Sequence, residues 1–107
     1  MADLTLNDLR PEVAAFALAM EERLRANDHK GGWKRCSQRY LFNGILGELH
    51  ELHAAWDLEP GAGELRFMRA SRIRAEAADL ANYSMMLADV CGALQPLEQG
   101  GEKEGKP

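Results

Sequence analysis

Residues 71–96 read SRIRAEAADLANYSMMLADVCGALQP, and apolar or small side chains return at Ile73, Ala77, Leu80, Ser84, Leu87, Cys91 and Leu94 in alternating steps of four and three. Such a stripe keeps one side of a helix turned toward one partner, as in helix-on-helix packing at a shallow angle. The pattern predicts a helix from about Ala70 or Ser71 to Pro96, with a second apolar flank at Tyr83, Met86 and Val90. Two more helices precede it. One opens at Pro11, where proline loses no intrahelical hydrogen bond, and carries Val13, Phe16, Ala17, Met20 and Leu24 at helical spacing. It ends at Asn27-Asp28, before the loop His29-Lys30-Gly31-Gly32-Trp33-Lys34. The other takes Ser37 as its N-cap and follows the seam Leu41, Ile45, Leu49, Leu52 and Trp56. Pro60, Gly61 and Gly63 stop it.

No β-branched run bounded by hairpin signals occurs, so the predicted class is all-α: a bundle of three main helices per chain. Three helices with wide apolar faces cover one another poorly. Oligomerisation, with a second copy supplying the fourth wall, or a short helix within 60–69 would complete the bundle. The chain has 107 residues, enough for one small domain, placed at 1–96. The segment 97–107 is charged and glycine-bearing and reads as a disordered tail.

Composition removes several classes. Thirteen Lys+Arg against 17 Asp+Glu give a net charge of −4, which argues against a general binder of nucleic acid polymers. No apolar run nears the roughly 20 residues that span a bilayer, so no membrane association is expected. The opening MADLTLNDLR has neither a basic nor an apolar signal region, and a cytoplasmic protein is expected. Cys36 and Cys91 are too few for a disulfide framework or a cysteine zinc site, and read as ordinary helix thiols. Ten of the 13 cations lie between Arg23 and Arg74, a clustering that suits either a phosphate site or solvated helix faces.

Four acids stand out. Glu48 and Glu51 are three apart on the second helix, and Glu76 and Asp79 are three apart on the third. Glu48 lies between Ile45 and Leu52, and Glu76 between Ile73 and Leu80, so both tend inward. Carboxylates buried together need a cation, and all-oxygen ligation favours Mg²⁺, Mn²⁺ or Ca²⁺. Surface acids are the plainer reading of either pair alone, with Arg72 or Arg74 neutralising Glu76. His50 and His53 match neither the zinc-protease nor the di-iron spacing and read as surface residues. Trp33 either covers the end of the core or offers a face for a nucleobase, with Lys30 and Lys34 near the phosphates. No GxxxxGKS loop is present to cradle a triphosphate.

Ile45-Leu46-Gly47-Glu48-Leu49-His50-Glu51-Leu52, followed by Glu76-Ala77-Ala78-Asp79-Leu80 and Tyr83, resembles the MazG-like all-α nucleoside triphosphate pyrophosphatases, which include dimeric dUTPases and dCTP pyrophosphatases. The resemblance covers about residues 12–95. It implies a helical bundle completed as a homodimer or homotetramer, and hydrolysis of a nucleoside triphosphate to the monophosphate and pyrophosphate. It further implies that Glu48, Glu51, Glu76 and Asp79 ligate Mg²⁺, with Mn²⁺ as a substitute, and that substrates are deoxynucleotides or non-standard nucleotides. Lys30, Trp33, Lys34, Asn82 and Tyr83 are the expected substrate contacts, and the basic stretches near 30–39 and 66–74 would flank the phosphates. One departure is Gly47, which stands where many relatives carry a further Glu. A non-catalytic helical interaction module with a degenerate site is the alternative that this departure favours.

Overall fold

The computed structural model describes residues 3–59 and 63–94. Helix α1 spans Pro11–Ala26, α2 spans Gln38–Trp56 and α3 spans Glu64–Val90. The described residues contain no strand, in keeping with the all-α prediction. Short 3₁₀ turns at Leu6–Asp8 and Asp28–Lys30 complete the order; neither is visible in the apolar pattern. Ser37 caps α2 as expected, its hydroxyl accepting a hydrogen bond from the Tyr40 N–H at 3.0 Å.

Helix α3 differs from its prediction at both ends. It begins at Glu64, so the short helix considered within 60–69 is continuous with α3. Leu65, Arg66, Met68 and Arg69 are strong helix formers, and Arg69 is fixed across the turn. Its guanidinium donates to the carbonyls of Trp56 at 2.6 Å and Leu58 at 3.0 Å, satisfying acceptors that the end of α2 leaves open. The far end stops at Val90, short of Pro96. Gly92 takes φ +81°, and its N–H donates to the Asp89 carbonyl while the Ala93 N–H donates to that of Ala88. This paired closure ends helices at a left-handed glycine, so the stop precedes the proline. Cys36 accordingly lies in the loop before α2 and Cys91 at the cap of α3, both as free thiols outside the helices. The segment 97–107 lies outside the described residues.

Helix α3 is the shared element. It packs against α2 and against α1, whereas α1 and α2 make no contact of comparable kind. Partners such as Glu48 with Asp79, and Trp56 with Arg69, show that α2 and α3 run antiparallel. The covered interior is small. Among the described residues Ala19, Leu41, Ala55, Ala78 and Asn82 are buried, and Leu41 is the only large side chain fully enclosed. Small residues mark where helices approach most closely. The predicted seams are therefore only partly covered: Leu49 is 52% exposed and Trp56 58%, while Ser84, Cys91 and Leu94 are also exposed. On α1, Val13 and Phe16 likewise keep open surface. Within one chain the neighbours cover Leu41 fully and Ile45, Leu52, Ile73, Ala77, Leu80 and Leu87 in part, and leave the C-terminal ends of the α2 and α3 seams open.

Candidate functional site

Antiparallel packing of α2 on α3 sets Glu48 against Glu76 and Asp79, and carboxylate oxygens of the three lie within 4.8 Å of one another. Each of these residues is partly buried. The Oε1 atom of Glu48 is enclosed and has no hydrogen-bond partner. Burial is the chief influence on this carboxyl, followed by the charges of Asp79 and Glu76. Together with a hydrogen bond to Glu76 they push it from an ordinary 4.5 up to about 7. Glu51, one turn further along α2, is exposed and stands outside the group, although its charge bears on Glu48. Three of the four predicted acids thus converge and the fourth stays at the rim.

The cation set against the cluster was not foreseen. Arg23, in the last turn of α1, donates from Nε to Asp79 Oδ1 at 2.9 Å and from Nη2 to Asp79 Oδ2 at 3.0 Å. The Asp79 carboxylate holds the guanidinium more firmly charged than usual, and Glu76 and Glu48 add to that effect. Arg74, expected beside Glu76, instead pairs with Glu22 of α1 at 2.9 Å. With Arg69 committed to the end of α2, these two cations of the 66–74 stretch tie helices together rather than flank a phosphate site.

A cleft of about 580 Å³ opens beside the cluster, walled by the end of α1, the loop to α2, and the facing sides of α2 and α3. Glu48, Asp79 and Arg23 face it, as do Lys30, Trp33, Asn82 and Tyr83 among the predicted substrate contacts. That volume lies in the range of small-molecule sites. Lys34 is not part of the wall. Its ammonium and the Trp33 indole N–H both donate to Asp89 Oδ2 on α3, at 2.6 Å and 2.9 Å, and this holds the Asp89 carboxyl below its usual range. The loop is therefore pinned to α3 with the Trp33 ring half-buried at the cleft.

Asn82 is 4% exposed, and its amide donates to the Met20 carbonyl at 3.0 Å while its Oδ1 has no partner. Its first task is to join α3 to α1. Tyr83 lies across Gly44: a Cβ there would stand 2.5 Å from the Tyr83 Cδ1 atom, so only glycine leaves room for the ring. Burial pushes the Tyr83 hydroxyl above its ordinary value.

The donor set is all oxygen and carries excess negative charge, with one buried oxygen lacking a partner. Such a set fits a hard divalent cation. His50 and His53 are exposed and take no part. No helix among the described residues is long and apolar enough to cross a membrane. Comparisons with protein-family models, curated proteins and solved structures give no match to this chain.

Proposed function

We propose that this chain is a Mg²⁺-dependent nucleoside triphosphate pyrophosphohydrolase of the MazG-like kind, acting on deoxynucleotides or non-standard nucleotides. The observation that carries the reading is the convergence of Glu48, Glu76 and Asp79 beside a cleft of nucleotide size, with Glu48 Oε1 enclosed and unpartnered. Glu48, Glu76 and Asp79 would hold the ion, with Glu51 as the fourth acid at the rim. The ion supplies charge neutralisation of the triphosphate and activation of water at neutral pH.

The chain's own residues supply position and charge. Trp33 presents an aromatic surface at the cleft and Lys30 a positive charge beside it. In the reaction, a water oxygen bonds to the α-phosphorus, the bond from that phosphorus to the bridging oxygen breaks, and pyrophosphate leaves. The proton released from the water passes to a carboxylate of the acidic set. Oligomeric completion of the bundle is part of the same reading. The open apolar side chains of Leu46, Leu49, Trp56 and Phe67 support burial against a second copy.

A panel of standard and modified nucleoside triphosphates, assayed for pyrophosphate release with Mg²⁺, tests the proposal. Release from at least one substrate is expected, and E48Q or D79N should abolish it. Turnover that survives both substitutions would remove the acidic cluster from the chemistry.

A further inference from the structure

Arg23 occupies both oxygens of Asp79, which with Glu48 faces the cleft. Its side chain is 36% exposed against 16% for Asp79, so Arg23 is the more solvent-accessible member of the pair. A fork bonded to both oxygens of a carboxylate is a strong, oriented contact, and the same fork matches two oxygens of a phosphate equally well. Arg23 is also fixed at its base by the last turn of α1, at the edge of the cleft, so its tip can reorient without the helix moving.

Resting on the hydrolase reading above, we propose that Arg23 is the resident counter-cation of the acidic cluster. A divalent ion displaces it on loading, and the freed guanidinium then binds the phosphate chain of the substrate. One guanidinium, bonded to Asp79 alone, faces three acidic side chains, and Glu76 and Glu48 have no cation bonded to them among the described contacts. A dication placed on the same oxygens repels Arg23 while satisfying Asp79. The cleft then offers the displaced fork a new anion, the polyphosphate. Arg23 in this way couples occupancy by metal to capture of the nucleotide, and by linkage each ligand strengthens binding of the other.

The test uses the full chain, with Mn²⁺ alone as one probe and inorganic pyrophosphate in excess Mg²⁺ as the other, both followed by calorimetric titration. R23Q removes the competing cation, so Mn²⁺ should bind about fivefold or more tightly. The same variant should bind pyrophosphate about tenfold more weakly, having lost a bidentate donor. A residue that only holds Asp79 in place would weaken both. R23K keeps the charge but loses the fork; it should shift both affinities in the same directions by smaller factors, and carries the comparison if R23Q does not fold. Wild-type protein that binds no Mn²⁺ would overturn the metal site and this proposal together. Wild-type binding with R23Q equal to or weaker than it for Mn²⁺ would overturn the role of Arg23 and leave the cluster standing. Unchanged pyrophosphate affinity in R23Q would overturn the hand-over to phosphate.

Discussion

Replacing Glu48 by Gln in metal-free protein removes an ionisable group from a place that disfavours its charge, while keeping its shape. The Glu48 carboxyl is raised from 4.5 to about 7. Below pH 4.5 it is neutral in both the folded and the unfolded chain, so wild type and E48Q should be close in stability. As the pH rises, the unfolded chain releases the proton first and the folded chain keeps it until about pH 7, so wild type loses stability across that interval. Each unit corresponds to about 1.4 kcal/mol, which sets a ceiling of about 3 kcal/mol by pH 8. Water reaching the partly open cluster brings the expected gain for E48Q to about 1–3 kcal/mol. Urea unfolding in EDTA at pH 5, 6, 7 and 8, at one protein concentration, measures it. The gain should grow with pH and level off above pH 7. E48Q that is no more stable than wild type at pH 8, or a gain equal at pH 5 and pH 8, would refute the account of this carboxyl.

Millimolar Mg²⁺ should raise the melting temperature of wild type, because a ligand bound only by the folded state stabilises it by about 2.7 kcal/mol at a hundred times its Kd. D79N should respond weakly, and an equal response would take Asp79 out of the ligand set. Gly44→Ala should cost about 1–3 kcal/mol by driving a methyl group into the Tyr83 ring. In a Tyr83→Ala background the same change should be neutral or stabilising, since alanine is the better helix former, and a chemical-denaturation cycle reads the coupling. Asp89→Asn should loosen the loop, seen as a shift in tryptophan fluorescence. In wild type the same shift should appear on acidification below 3.8, because a carboxyl held low by Lys34 and Trp33 loses its contribution as pH falls through its folded value.

Local signals in the sequence were sufficient for the helices and misleading about some of their limits. Pro11 and Ser37 mark starts that the structure keeps, because each acts through its own backbone and the next turn. The end of α3 follows Gly92, whose positive φ closes the helix before Pro96. Its beginning depends on Arg69 reaching the carbonyls of another helix, which periodicity does not encode. Helical spacing found Glu48, Glu76 and Asp79, since a three-residue step fixes a common side. It also included Glu51, where spacing gives a direction but the side chain turns to solvent. Arg23 and Asp89 escaped because each meets its partner across more than 50 residues of chain, and only the packing of α1 and the loop on α3 brings them together.

The solitary place of Leu41 as a large enclosed side chain among the described residues bears on how this protein is handled at the bench. Three of the five buried residues described are alanines, which leaves one chain little to oppose its conformational entropy, and under the proposed pairing with a second copy folding would obey mass action. On that proposal thermal midpoints should climb with protein concentration, midpoints independent of concentration would count against the second copy, and a dilution series belongs ahead of any ranking of variants by melting.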